Sequence, residues 1–112
     1  MLIYKILRPA EWDSLDAQGE SLGAPVDLED GFIHFSTAEQ LRETAAKHFA
    51  TAGDLVLLAC DVEKLGPALR WEPSRGGALF PHLYRPLVRA DILWHAHLPQ
   101  GAQGHVFPKD LA

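Results

Sequence analysis

Residues Leu55 to Cys60, LVLLAC, form an unbroken apolar run between Asp54 and Asp61. Such a run is a strand of the kind buried on both faces, and Asp61 with Leu65 and Gly66 marks its exit. Its place is the centre of a sheet, so the rest of the chain must supply its neighbours and its cover. With 112 residues, 47% of them hydrophobic, the chain has material for one core and one domain spanning 1–112. A chain of this size buries roughly 60 to 70% of the surface that its unfolded form exposes, enough to fold without metal or disulfide staples. Cys60 is the single cysteine and sits inside the apolar run, so it reads as a buried, reduced thiol suited to a reducing compartment. The opening MLIYKILRPAEW has too short an apolar stretch for a signal peptide or membrane span. Cytoplasmic location is the expectation.

The net charge is −5 and the pI near 5.6, with ten Lys and Arg residues scattered along the chain. General nucleic-acid binding through a basic face is therefore disfavoured. One local imbalance remains: Arg70, Arg75, Arg85 and Arg89 fall within twenty positions of an otherwise acidic chain and can hold a phosphate.

Leu2 to Leu7 reads as a first strand, stopped at Pro9, which then opens a helix closed near Gly19. Gly23 to Asp30, GAPVDLED, reads as an acidic turn that delivers the chain into a strand at Gly31 to Phe35. Ser36 with Glu39, and equally Thr37 with Gln40, stand in the relation of a capping box. The helix so opened carries Leu41, Ala45 and Phe49 on one stripe and is expected to end at Gly53. Short strands follow at Leu69 to Trp71 and around Leu79 to Tyr84. A longer strand spans Val88 to Leu98, with Ile92, Trp94, Ala96 and Leu98 alternating against Leu93, His95 and His97. The tail from Pro99 looks peripheral.

Two segments concentrate polar groups. In GFIHFST, strand alternation puts Phe32, His34 and Ser36 on one face and leaves Ile33 and Phe35 for the core. The Ser36 and Thr37 hydroxyls with the first helical N–H groups suit an anion, although a plain cap and a hydrogen-bonded wall histidine explain the same residues more simply. In RWEPSRGGALFPHLYRPL, Arg75 offers a five-donor fork, and His82 and Tyr84 share a face if extended. Glu72 is the one nearby carboxylate able to orient a ribose hydroxyl or stabilise developing positive charge. The plainer reading has Glu72 paired with Arg70 or Arg75 on the surface and Gly76 and Gly77 merely turning the chain. Phe80 before Pro81 raises the chance of a cis bond, with trans favoured.

His95 and His97 form an HxH pair, but no third or fourth ligand has suitable spacing, so no metal is expected. No GxSxG, Rossmann or Walker pattern occurs, and Cys60 lacks the basic surroundings of a nucleophile.

These motifs together give a resemblance. Tyr4 to Ile6 (YKI), Asp30 to Thr37 (DGFIHFST) with Gln40, Asp54 to Leu58 (DLVLL), Trp71 with Glu72, and Phe80 to Tyr84 (FPHLY) make the sequence similar to a family of small, mostly bacterial proteins, domain of unknown function family 952. The resemblance implies the fold of ADP-ribosyltransferases and RNA 2′-phosphotransferases: α+β, small split antiparallel sheets around a cleft, and two or so helices. It implies NAD as a substrate rather than a bound cofactor, a small nucleotide-like ligand as the partner, and no membrane. His34, Glu72 and His82 are then the candidate catalytic residues, and Ser36, Thr37, Arg75 and Tyr84 the candidate ligand-binding ones. The competing expectation is a binding module of the same fold without chemistry; convergence of His34, Glu72, Arg75 and His82 in one pocket separates the two.

Overall fold

A computed structural model describes residues 1–109 and 111, except for the side chain of Arg75. The elements run β1 (Leu2–Leu7), α1 (Pro9–Gln18), β2 (Glu20–Ser21), α2 (Pro25–Asp30), β3 (Ile33–His34), α3 (Ala38–His48), β4 (Leu55–Asp61), α4 (Val62–Leu65), β5 (Leu69–Pro73), β6 (Leu79–Leu83), β7 (Leu87–Val88), β8 (Ile92–Leu98), β9 (Gln100–Gly101) and β10 (Gly104–His105). The class is α+β, with four α-helices among the described residues instead of two or so.

Strand β4 is central in an antiparallel sheet of order β1-β4-β8, as its sequence requires. Leu55, Leu57 and Ala59 join Tyr4 and Ile6 under Leu41 and Ala45 of α3, while Leu58 and Cys60 join Ile3 and Leu7 on the opposite face. Both faces are thus dry, and each fully buried leucine contributes about 1.5 to 3 kcal/mol over exposure. A second three-stranded sheet, order β3-β6-β5, lays Ile33, Phe35 and Leu83 into the core of Ile3, Leu7, Leu58 and Cys60. The two sheets touch where Tyr4 and Ser36 exchange backbone hydrogen bonds of 2.8 and 2.9 Å. From that bridge β1 and β3 diverge, and a cleft opens between them.

Four expectations are corrected. GAPVDLED is not a turn: Pro25 starts α2, the Ala24 N–H is accepted by Asp27 Oδ2 at 2.7 Å, and Gly31 at φ 84° closes it. Helix α3 ends at Phe49 rather than Gly53, whose N–H instead reaches Gln100 Oε1 at 2.6 Å. The Val88 to Leu98 strand is broken by a 3₁₀ turn at Arg89–Asp91, where Asp91 binds the Val88 N–H at 3.0 Å and the Arg85 guanidinium at 2.8 and 3.1 Å. The register then slips between Ala59 and Cys60, which spoils the expected alternation and leaves both Leu93 and Trp94 exposed. No described peptide bond is cis.

Candidate functional site

The site grows from the register of the second sheet. His34 pairs with His82, His82 with Arg70, and Phe80 with Glu72. Alternation then places Phe32, His34, Phe80, His82, Arg70 and Glu72 on one face, because Ile33, Phe35 and Leu83 are committed to the core on the other. Nδ1 of His82 lies 2.9 Å from Glu72 Oε1, and the Tyr84 hydroxyl donates to the same oxygen at 2.6 Å. The Phe32 ring stacks on His82 with centroids 4.2 Å apart, and the His34 ring meets His82 edge-on at 5.3 Å. The hydrogen bond from Tyr84, then that from His82, holds the Glu72 carboxyl below its ordinary range, and the same bond to Glu72 raises the Tyr84 phenol.

A second network supports His34 from below. Asp27 is buried, and its carboxylate meets four donors: Lys5 Nζ at 2.6 Å, Ala24 N–H at 2.7 Å, and the His34 N–H and Nδ1 at 3.0 and 2.6 Å. His34 Nε2 faces Asp30 Oδ2 at 3.0 Å, so both of its ring nitrogens meet a carboxylate. Burial alone would push Asp27 up; the His34 hydrogen bond and the Lys5 charge outweigh it and hold the group at about 2. Burial likewise pulls the Lys5 ammonium below its ordinary value, against the attraction of Asp27. The ion pair therefore ties α2 to β1 across the fork and fixes the ring of His34.

The fork encloses a cavity of about 660 Å³, of ligand-pocket size. Lys5, Ile6 and Arg8 of the β1 side, His34, Phe80 and His82 of the second sheet, and Val26 of α2 all line it. Ser36 also lines it, with its hydroxyl 2.9 Å from Thr44 Oγ1. Thr37 is the N-cap of α3, accepting the Gln40 N–H at 3.2 Å, and is not among the lining residues. His34, Ser36 and His82 thus line one cavity, Glu72 and Tyr84 are tied to His82 from outside that lining, and the Arg75 side chain lies outside what is described.

The arginine cluster does not act as one. Arg85 is locked to Asp91, Arg89 Nε to Asp16 at 3.0 Å, and Arg70 lies over the Tyr84 ring at 4.9 Å rather than pairing with Glu72. On β8, His97 Nε2 faces Asp54 at 3.1 Å while His95 stacks on Trp12, and no group of three metal-ligating side chains occurs among the described residues.

Sequence reasoning missed Lys5, Asp27 and Asp30. One signal was present: Lys5 falls between Ile3 and Leu7 on the core side of an apolar strand, and a lysine there requires a buried acid.

Known proteins agree with this architecture. The crystal structure of protein CC0527 from Caulobacter crescentus has a TM-score of 0.89 and 56% identity, covering 94% of this chain and 92% of that one. The solution NMR structure of CC0527 gives 0.83 and 57%, over 93% and 90%. No curated protein matches the chain. A family model described as "Protein of unknown function (DUF952)" matches residues 6–95, and to that family the chain belongs.

Proposed function

We propose that the cleft binds a nucleotide, with NAD the foremost candidate, and that the chain is a transferase of the ADP-ribosyltransferase-like type, moving an ADP-ribosyl or 2′-phosphate group. The supporting observation is the convergence of His34, His82, Glu72 and Tyr84 on one face of a split sheet beside a cavity of about 660 Å³. Aromatic walls at Phe49 and Phe80 offer stacking surface for a base, Arg8 on the lining is a cation for its phosphates, and Arg75 is the second cation that the sequence offers. Cytoplasmic location, where NAD is abundant and thiols stay reduced, fits the buried Cys60.

One observation favours the second reading, a binding module without chemistry: Glu72 lies behind His82 and is not among the cavity-lining residues. Thermal shift with NAD, ADP-ribose and 2′-phosphorylated RNA tests the binding claim. A ligand at about 100 times its Kd raises stability by about 2.7 kcal/mol. Val26, half exposed on the cavity wall, is the place to block it: Val26→Trp obstructs the cleft and abolishes the shift while the unliganded melting temperature stays within a few degrees. Equal melting temperatures with and without all three ligands would sink the reading. His34→Ala is a poorer test, because it also strips the ring Nδ1 contact from Asp27.

A further inference from the structure

We infer that His82, held by Glu72, is the proton acceptor of the cleft, its Nε2 taking the proton of a hydroxyl or water bound beside it. The role rests on the nucleotide reading for its substrate and on geometry for everything else. His82 is more than nine-tenths buried, yet its ring lines the cavity. Glu72 is a carboxylate and can only accept, so the 2.9 Å contact selects, for the neutral imidazole, the tautomer with its proton on Nδ1 and its lone pair on Nε2. No described residue hydrogen-bonds Nε2. The orientation is over-determined: Phe32 fixes the ring plane by stacking at 4.2 Å, and Tyr84 fixes Glu72 by donating to Oε1 at 2.6 Å. A base oriented by a carboxylate that is itself oriented is the arrangement that activates hydroxyl nucleophiles. His34 cannot substitute, since both of its nitrogens are committed to Asp27 and Asp30.

With NAD in the cleft the step balances. The acceptor O–H gives its proton to Nε2 while the oxygen bonds to C1′ of the nicotinamide ribose. The C1′–N bond breaks, its electron pair leaves with neutral nicotinamide, and the imidazolium returns its proton to solvent. With water as acceptor the products are ADP-ribose, nicotinamide and one proton.

The groups facing His82 are Glu72 on β5, His34 on β3 and Tyr84 beyond β6, with Asp27 and Asp30 of α2 behind His34 and Arg70 over Tyr84. The experiment measures NAD affinity, nicotinamide release against pH, and histidine ¹⁵N shifts in wild type, His82→Gln and Glu72→Gln. The expected result is NAD binding retained in His82→Gln, release slower by about 10²- to 10⁴-fold, and loss of the acid limb of the pH profile. Should His82→Gln fail to fold, Glu72→Gln carries the same comparison. Equal release rates, or NAD bound without any release, would overturn the proton-transfer role and leave the binding reading standing. Failure of NAD to bind at all refutes the nucleotide reading instead, and the ¹⁵N shifts then decide. An unprotonated Nε2 at about pH 8 that depends on Glu72 supports the assignment, and an Nε2–H tautomer overturns it.

Discussion

Asp27→Asn isolates the electrostatic arrangement under the cleft. The substitution removes the charge that Lys5 Nζ meets at 2.6 Å and leaves an ammonium in the interior with no counter-charge on Asp27. Breaking one side of a buried pair costs about 3 to 5 kcal/mol, a large part of the 5 to 15 kcal/mol that holds a domain together. The pH dependence follows from the same contacts. Asp27 sits at about 2 when folded, against an ordinary 3.8. Between those values the unfolded chain binds more protons, so stability rises with pH there. The contribution is fully present above about pH 4 and is lost as pH falls through about 2; at 1.4 kcal/mol per pH unit it amounts to about 2 to 3 kcal/mol. Glu72, Asp54 and Asp91 are also held below their ordinary range, so both proteins weaken in acid. The diagnostic quantity is the difference between them. Urea denaturation at a series of pH values should show wild type ahead by about 3 to 5 kcal/mol near neutrality, the gap narrowing by about 2 to 3 kcal/mol by about pH 2. A neutral-pH loss under about 1 kcal/mol, or a gap that does not narrow in acid, would refute the reasoning.

Other consequences are local. Gly23 holds φ at +100° and a Cβ there would collide with the Asp27 carboxyl, so Gly23→Ala should cost at least the roughly 1 to 3 kcal/mol of left-handed strain; an unchanged urea midpoint contradicts this. Burial pushes the Cys60 thiol up to about 12, so a colorimetric disulfide reagent at about pH 8 should react only after urea unfolds the chain. Glu72→Ala removes the acceptor that raises Tyr84, and an ultraviolet titration should show one phenol moving back toward its ordinary value. A titration curve identical to wild type would show that Tyr84 is not bonded to Glu72.

Local pattern carried much of this fold and failed where long-range contacts decided. The LVLLAC run located the central strand because an element dry on both faces has few other options. Alternation in FIHF and in PHLY gave the polar face of the second sheet, since Ile33, Phe35 and Leu83 had to point the other way. That those two faces are one face depends on the His34–His82 register, which nothing in either segment encodes. Helix α2 was obscured by its length: six residues show no periodicity, and its Asp27 served both as cap and as ion-pair partner of a lysine 22 positions earlier. Two of the four clustered arginines, Arg85 and Arg89, are taken up by Asp91 and Asp16, which a count of charges along the chain does not show.

The most direct test of the nucleotide-binding cleft is an amide and side-chain NMR titration of the ¹⁵N-labelled protein with NAD. Saturable shifts should gather on His34, Phe80, His82, Lys5 and Val26 around the fork, and Val26→Trp should erase them. Absence of saturable shifts, or shifts confined to the Trp94 and His97 surface of β8, would contradict the account.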